Sequence, residues 1–333
     1  MKKSLALVIV LIISLLTGCA QTNSKETNNT SPQSSELKAQ TTITVVAPKS
    51  PSTIPILRMI ENNCMGDEAK IDLQLYSDLE AMMAMASEGD YEILIVPAHT
   101  AANLKNKRLD VKLLNVFGWG GMSLSTTDPG CNSWKDLVGK ELYVPAKGSV
   151  PDVLTQYFLK HNNLTYGENV KVVYSNHAEI AQLLSSGTIK YAVDAQPFVT
   201  FNIKNVKDYK VITEFSEEWK LTQGKEYSMP GNCMITSNEY ISKNEKLVNT
   251  FNEKFAEAIE WTIQNPSEAG TLASTHLKAK AELIAEAMPG IGFKYISAAD
   301  SQKDMEQYYG VLLEMKPESI GGKLPDVEFY YLK

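Results

Sequence analysis

Cysteine and histidine are scarce in this sequence, and the motifs that depend on them are missing. Four of each occur among the 333 residues, without a Cys-x-x-Cys or His-Glu-x-x-His pair, so we predict no metal site. The sequence also lacks a Gly-x-Ser-x-Gly turn, a phosphate-binding loop and a dinucleotide-binding fingerprint. These absences exclude the commonest motif-bearing enzymes, and we predict neither catalytic residues nor a cofactor.

Positively charged residues are fewer than negatively charged ones. The chain has 32 Lys and Arg residues against 39 Asp and Glu residues, which gives a net charge of -7. An acidic chain is not drawn to phosphate backbones, so nucleic acid is not a predicted partner. Apolar residues make up 44% of the chain and charged residues 21%, as is typical of a soluble globular protein long enough for two domains.

The first residues contain the one long apolar run. It extends over residues 5–16, after Lys2 and Lys3, and ends in Leu16-Thr17-Gly18-Cys19. The run is too short to span a bilayer and is typical of a secretory signal. The final four residues resemble the bacterial lipobox, which implies a signal peptide over residues 1–18 and a lipid on Cys19; a buried or unmodified cysteine is the alternative.

A polar segment follows the lipobox. Residues 21–40 are mainly Asn, Thr, Ser, Gln, Lys and Glu, and such a composition cannot bury enough surface to offset the entropy of ordering. We therefore predict that residues 19–40 are a lipidated, disordered tether. The folded body is expected to lie on the outer face of the cytoplasmic membrane, held there by the lipid anchor.

Short β-rich runs alternate with helical patterns from Thr41 onward, which favours α/β lobes with mainly parallel sheets. The order of these segments repeats. Lys49 matches Lys147 and Gly89 matches Gly187, with an offset of 98 residues in both pairs. The repeat predicts two similarly wound lobes.

A glycine-rich segment, Gly118-Trp119-Gly120-Gly121, separates the two copies, and a β-rich run at residues 232–236 returns the chain. Two extended crossovers predict a hinge. We place the first lobe at residues 41–122 plus 242–333 and the second lobe at 123–241. Helical patterns after residue 242 end at Asn265-Pro266 and resume toward the C-terminus, and we expect these helices to pack on the first lobe.

The order of motifs resembles one family. The segments that carry the resemblance are Ser87-Glu88-Gly89-Asp90-Tyr91-Glu92-Ile93, residues 136–145 with Gly148-Ser149, Leu184-Ser185-Ser186-Gly187 and Asn265-Pro266-Ser267-Glu268-Ala269. They are similar to the ABC-transporter solute-binding proteins of the sulfonate, nitrate and taurine group and their relatives that bind thiamine-pyrimidine precursors. The resemblance implies a type II periplasmic-binding-protein (Venus-flytrap) fold, with two mainly parallel sheets and a two-strand hinge.

The same resemblance implies a function. It indicates that the protein captures a small organic solute, sulfonate-like or aromatic, between its lobes and delivers it to an ABC permease, and we expect a monomer. The chain departs from the group at Gln196, where many members carry an acidic residue, and it lacks the cysteine-rich motif of the fungal pyrimidine synthases. A ligand-binding sensory module and a pyrimidine-synthase-like enzyme are the alternatives.

Ligands of open α/β sheets bind at the carboxyl ends of the strands, and that rule selects five loops. Lysines and hydroxyls at two helix starts predict an anion clamp, although such lysines are often simply solvated and Ser149 can cap its helix. Trp119 is either a ligand face or hinge packing. The residues predicted to contact the ligand are Lys49, Ser50, Ser52, Thr53, His99, Thr100, Trp119, Gly120, Lys147, Ser149, Asp194 and Gln196.

Three cysteines remain after Cys19. Cys131 follows the outgoing crossover strand and Cys233 begins the returning one, so the two are within disulfide reach if those strands are adjacent and antiparallel. We predict that pair as a disulfide and Cys64 as a free thiol.

Overall fold

A computed structural model describes residues 40–333, which form one compact unit. The predicted signal peptide, the lipidation of Cys19 and nearly all of the tether therefore lie outside the described residues. No helix within the described part of the chain combines the length and apolar character needed to cross a bilayer.

The first lobe is built on a six-stranded sheet. Its strands, in the order in which they lie side by side, are β11 (Phe293–Ser297), β4 (Lys112–Gly118), β10 (Asn232–Thr236), β3 (Ile93–Pro97), β1 (Thr41–Pro48) and β2 (Ala69–Tyr76). Strands β1, β2 and β3 are parallel, whereas β10 is antiparallel to β3 and β4. The helices of this lobe are α1 (Ile54–Glu61), α2 (Leu79–Glu88), α3 (Ala98–Asn106), α8 (Asn238–Gln264), α9 (Pro266–Leu277), α10 (Ala281–Ile291) and α11 (Ala298–Met315).

The second lobe is built on a five-stranded sheet. Its strands lie in the order β7 (Lys171–Ser175), β6 (Glu141–Pro145), β8 (Tyr191–Ala195), β5 (Met122–Thr126) and β9 (Lys210–Glu214). Strands β6, β7 and β8 are parallel, and β5 is antiparallel to β8 and β9. The helices are α4 (Val150–His161), α5 (His177–Ser185), α6 (Phe198–Asn205) and α7 (Phe215–Gln223).

The two sheets share one topology. Strands β2, β1, β3, β10 and β4 of the first lobe correspond in order to β7, β6, β8, β5 and β9 of the second. In each lobe the fourth strand comes from a crossover and runs antiparallel to its neighbours. The prediction of two similarly wound lobes with mainly parallel sheets is therefore confirmed.

The lobes are joined at residues 118–122 and 228–232, which we call the hinge. The Gly231 N–H donates to the Gly118 carbonyl at 2.7 Å, so the two crossovers lie side by side. The returning strand β10 belongs to the first sheet, between β3 and β4. The boundary predicted at residue 241 is therefore wrong by about ten residues, because a crossover strand pairs with the lobe it enters and not with the lobe it leaves.

The predicted disulfide is also wrong. Cys131 and Cys233 are both free and buried, and Cys64 is free. Strands β5 and β10 lie in different sheets instead of side by side. Cys131 follows the end of β5 that is remote from the hinge, whereas Cys233 is the second residue of β10 and lies at the hinge.

Helix α11 packs on both lobes, although we expected it to pack on the first lobe alone. Its residue Tyr309 donates a hydrogen bond to the Ala98 carbonyl of the first lobe at 2.8 Å. On the second lobe, the Tyr308 and Trp219 rings are 5.9 Å apart and both residues are buried. An amphipathic sequence predicts a buried stripe, but not which surfaces cover it.

Candidate functional site

The carboxyl ends of the central strands meet at the hinge. Pro97 and Gly118, the last residues of β3 and β4, both pair with Asn232 of β10, and Ala195 at the end of β8 pairs with Met122. Strands β1 and β6 are parallel to β3 and β8, so their carboxyl ends lie at the same edges. We call the segments that follow β1, β3, β6 and β8 (49–53, 98–100, 146–149 and 196–197, in that order) the cleft loops.

The first cleft loop offers hydroxyls instead of backbone donors. Lys49 is exposed, and the Ser50 and Ser52 hydroxyls are 2.7 Å apart. Thr53, which is fully buried, donates its hydroxyl proton to the Pro48 carbonyl at 2.5 Å. Prolines 51 and 55 have no N–H, which reduces the number of amides that a helix start normally presents to an anion.

A buried carboxylate lies just after the third cleft loop, at the start of α4. The buried Asp152, in the first turn of α4, accepts the Gly148 N–H at 2.7 Å, so this helix N-terminus has an internal anion. The Ser149 hydroxyl donates to the Pro145 carbonyl at 2.7 Å and makes no capping bond to the helix. The exposed Lys147 places its ammonium 6.0 Å from the centre of the Tyr174 ring.

His99 and Thr100 begin α3 beside the hinge. The Ala98 N–H donates to the Gly231 carbonyl at 2.8 Å, which fixes this helix start against the returning crossover. His99 is half-buried, and its Nε2 lies 3.2 Å from the hydroxyl of the buried Thr100. Burial lowers the pKa of His99 to about 4, so the imidazole is neutral at pH 7 and can donate or accept a hydrogen bond.

Trp119 is bonded to a third segment at the hinge. Its indole N–H donates to the Lys294 carbonyl at 2.8 Å, and its backbone N–H donates to the Gly292 carbonyl at 2.9 Å. Trp119 and Gly120 line a cavity of about 240 Å³ whose other walls include Glu214, Ser216, Ser228 and Gly290. These bonds support the hinge-packing interpretation of Trp119, while one side of the residue still borders a cavity.

Asp194 lies inside the second lobe. The carboxylate is fully buried, and its Oδ2 accepts bonds from Tyr209 at 2.9 Å and Asn202 at 3.2 Å. Its Oδ1 has no hydrogen-bond partner, and desolvation raises the pKa of Asp194 to about 6. The structure therefore does not bring Asp194 to the surface of the cleft loops, but places it beneath α6.

Gln196 remains at the hinge. Its backbone N–H donates to the Gly121 carbonyl at 2.8 Å, and its side-chain Oε1 accepts the Thr200 hydroxyl at 2.8 Å. A methyl group on Gly290 would collide with the Gln196 side chain, so the second lobe touches the end of α10 at this residue. Gln196 thus contacts the first lobe, which the sequence alone does not indicate.

Sequence reasoning missed the third hinge segment. The motif Pro289-Gly290-Ile291-Gly292 has two glycines two residues apart, and this spacing was a usable sign of a close backbone approach. A Cβ atom at Gly292 would lie 2.8 Å from the Trp119 carbonyl oxygen. Lys316, whose ammonium donates to the Gly148 carbonyl at 2.8 Å, has no distinguishing sequence context.

The chain was compared with protein-family models, curated protein sequences and solved structures. The family model described as NMT1/THI5 like matches residues 115–269, somewhat less than half of the chain. No curated protein sequence shows significant similarity to the chain.

Solved structures with the same fold cover most of the chain. An ABC transporter structure from Parabacteroides distasonis has a TM-score of 0.76 and 22% identity, and covers 88% of this chain and 99% of its own. The periplasmic aliphatic sulphonate binding protein SsuA of Escherichia coli has a TM-score of 0.67 and 15% identity, with 86% and 93% covered. The nitrate-binding protein NrtA of Synechocystis PCC 6803 has a TM-score of 0.56 and 12% identity, with 84% of each chain covered.

These matches confirm the resemblance that the sequence motifs indicate. The solved structures also confirm the two-lobed periplasmic-binding-protein fold, because they cover most of the chain and therefore include parts of both lobes.

Proposed function

We propose that this protein is the extracytoplasmic solute-binding component of an ABC importer. It holds a small organic solute between the two lobes and presents the closed form to a membrane permease. Binding, and not catalysis, is the proposed activity, and no cofactor takes part. Closure follows from differential affinity, because a solute that touches both lobes favours the form in which they are together.

The duplicated lobes are the observation that supports this proposal most directly. The carboxyl ends of four strands, two from each sheet, face the hinge, and the loops that follow them lie beside its glycine-rich segment. A solute held there contacts elements of both lobes, so its binding is coupled to their relative position. The sulphonate- and nitrate-binding proteins share this architecture with the chain.

The proposed ligand is a small organic solute with an anionic or aromatic group. Lys49 and Lys147 are exposed on cleft loops of opposite lobes, and the half-buried Ser50 adds a hydroxyl. Asp152 already accepts the Gly148 N–H, so the lysines and this hydroxyl, and not the α4 amides, would supply the contacts to an anion. The neutral His99 is suited to a hydrogen bond with an uncharged part of the ligand.

A thermal-shift screen tests the proposal. The panel contains methanesulfonate, taurine, nitrate, a hydroxymethylpyrimidine, riboflavin and benzoate. A true ligand at 100 times its dissociation constant stabilises the protein by about 2.7 kcal/mol, and small-angle scattering should show compaction at the same concentration. If no compound stabilises the protein, and none compacts it, solute capture in this cleft is contradicted.

The anion clamp has its own test. The double variant Lys49→Ala/Lys147→Ala should weaken the binding of methanesulfonate and flatten its dependence on salt concentration, measured by calorimetry. Lys70→Ala/Lys190→Ala is the matched control, because it also removes one exposed lysine from each lobe, but near the amino ends of strands β2 and β8. Equal affinity and salt dependence in the two variants would contradict the clamp.

Attachment to the membrane is the remaining part of the proposal. The lipobox-like Leu16-Thr17-Gly18-Cys19 motif supports a lipid on Cys19 and a location on the outer face of the cytoplasmic membrane. The Cys19→Ala variant should move from the membrane fraction to the soluble fraction of the cell. An unchanged distribution would contradict lipid anchoring and leave the binding proposal standing.

A further inference from the structure

The peptide groups of Gly148 are bonded from both lobes. Its N–H donates to Asp152 Oδ2 of the second lobe at 2.7 Å. Its carbonyl oxygen accepts a hydrogen bond from the Lys316 ammonium of the first lobe at 2.8 Å. The third cleft loop is therefore the place where a charged side chain of one lobe touches the backbone of the other.

The second-lobe side of this arrangement is rigid. Asp152 is 1% exposed, and its Oδ1 accepts hydrogen bonds from Gln156 at 3.2 Å, from Tyr174 at 3.3 Å and from Tyr166. A buried carboxylate with four donors holds a fixed position. The Gly148 N–H is consequently anchored to the body of the second lobe.

The loop itself is in an unfavourable backbone conformation. Ala146 has φ = +41°, a value that an alanine adopts rarely and at a cost of about 1–2 kcal/mol, whereas Gly148 has φ = +75°, which a glycine adopts freely. Such a conformation persists only when surrounding bonds enforce it. The loop is held by the bonds that Asp152 and Lys316 make to Gly148. It is also held by the bonds from the Ala146 N–H to the Ser175 carbonyl at 3.1 Å and from the Ser149 N–H to the Ala146 carbonyl at 3.0 Å.

The first-lobe side is fixed by the chain that follows α11. Lys316 precedes a 3-10 helix at Pro317–Ile320, whose carbonyl groups accept Asn103 Nδ2 at 2.9 Å and Asn106 Nδ2 at 2.6 Å. Both asparagines belong to α3. The Lys316 side chain is only 28% exposed, and its ammonium occupies the space where a side chain on Gly148 would lie.

We infer that Lys316 is a positioning residue that holds the third cleft loop in its binding conformation only while the lobes are together. The inference rests on the proposed function, because it takes this loop to be part of the solute site. When the lobes separate, the ammonium leaves the Gly148 carbonyl and the loop loses this bond to the first lobe. Closure and the formation of a competent loop thereby favour each other.

Hydrogen exchange of the ligand-free protein tests this inference. The Lys316→Met variant keeps the apolar stem but removes the ammonium, and amides of peptide 146–150 should exchange about tenfold faster, the factor for the loss of one hydrogen bond to a charged group. The Lys316→Arg variant should restore protection, since a guanidinium also donates to a carbonyl. Lys323→Met is the control, because this exposed lysine lies in the same C-terminal segment.

Each outcome has a defined meaning. Faster exchange confined to residues 146–150, absent from Lys323→Met and reversed by arginine, supports the inference. Equal exchange in the Lys316→Met and Lys323→Met variants overturns it, and so does faster exchange across the whole protein, which indicates a general loss of stability. A negative ligand screen would contradict the proposed function without altering these exchange rates, so the two failures are distinguishable.

Discussion

At the scale of single residues, burial disfavours the charged form of two side chains near the hinge and therefore shifts their pKa values in opposite directions. His99 is the first example. Its pKa is about 4 in the folded protein against 6.5 in an unfolded chain, so the unfolded state binds more protons between these pH values. Stability should therefore fall by up to about 3 kcal/mol as the pH decreases from about 6.5 to about 4.

The His99→Gln variant tests this dependence. Glutamine keeps a donor and an acceptor but does not titrate, so the decrease in unfolding free energy between pH 7 and pH 4 should be smaller than in the parent protein. Denaturant titrations at several pH values measure the difference. An identical decrease in both proteins would show that His99 is not held neutral by burial.

The pKa of Asp194 is shifted in the opposite direction, so its effect on the pH dependence of stability is also opposite. Its folded pKa of about 6 exceeds the unfolded value of 3.8, so the folded state binds the extra proton and stability should fall as the pH rises from about 4 to about 6. Asp194→Asn should stabilise the protein at pH 7 by up to about 3 kcal/mol, and have little effect at pH 4. Asp90→Asn, at an exposed position, is the control in the same denaturation experiment.

The hydrogen bonds of Asp194 make this result interpretable. Asparagine retains an oxygen that can accept from Tyr209 and Asn202, and its amide replaces the oxygen that has no partner. A loss of stability at pH 7 would show that the charged carboxylate is required and would contradict the prediction. The apolar pattern of the sequence correctly places Asp194 at the end of a strand. The alternation of side chains along β8 does not reveal that a tyrosine and an asparagine enclose the Asp194 side chain.

At the scale of structural elements, two glycines, one in contact with the hinge and one inside the second lobe, separate the cost of backbone strain from the cost of a steric clash. Gly292 and Gly139 have nearly equal φ angles of +73° and +75°. A Cβ atom at Gly292 would lie 2.8 Å from the Trp119 carbonyl oxygen, whereas one at Gly139 would meet no atom within 4 Å. The two positions therefore form a matched pair.

Gly139→Ala should cost about 1 kcal/mol, the penalty for a left-handed conformation alone. Gly292→Ala should cost about 2–3 kcal/mol, because the new methyl group also displaces the Trp119 backbone that bonds to Gly292. Chemical denaturation of both variants measures the costs. Equal costs would mean that the third hinge segment moves freely and does not constrain Trp119.

Most elements were predictable because their apolar periodicity is strong. The runs at Ile93–Val96 and Leu142–Val144 lie within β3 and β6, and the long helix ends at the predicted Asn265-Pro266. The neighbours of each element were harder to predict. The apolar patterns of strand β10 and helix α11 are recognisable in the sequence. The segments that they pack against are distant in sequence, and no local pattern identifies them.

At the scale of the whole molecule, ion pairs join the lobes on both flanks of the hinge. Lys204 of α6 lies 2.5 Å from Glu286 of α10, and Lys160 of α4 lies 2.8 Å from Glu314 of α11. In each pair the lysine belongs to the second lobe and the glutamate to the first. All four side chains are largely exposed, so each pair contributes little to stability and is screened by salt.

A small contribution still affects an equilibrium between open and closed lobes. Glu286→Lys places two lysines opposite each other and should increase the radius of gyration of the ligand-free protein at low salt, measured by small-angle scattering. The charge-swapped double variant Lys204→Glu/Glu286→Lys should restore the parental value. Reversal of Glu239, which pairs with Lys243 within α8, is the control, and an equal expansion there would contradict the role of the interlobe pair.

The overall architecture was predictable because the same order of segments occurs twice in the sequence. Two copies of one segment order, 98 residues apart, indicate two lobes without any knowledge of their packing. The arrangement of the cleft was less predictable, since Lys316 and Gln196 contact the opposite lobe through positions that have no special composition. Contacts between lobes depend on which residues come close together in the folded protein, and a single sequence gives only the order of the segments.

The position of β10 has a consequence for the order in which the protein can assemble. This strand lies at the centre of the first sheet, yet it follows the entire second lobe in the chain. Without β10 the first sheet is divided into β1, β2 and β3 on one side and β4 on the other. During synthesis the first lobe therefore stays incomplete until the second lobe has been made, and the central pairings of its sheet must join segments that are far apart in sequence, which slows folding.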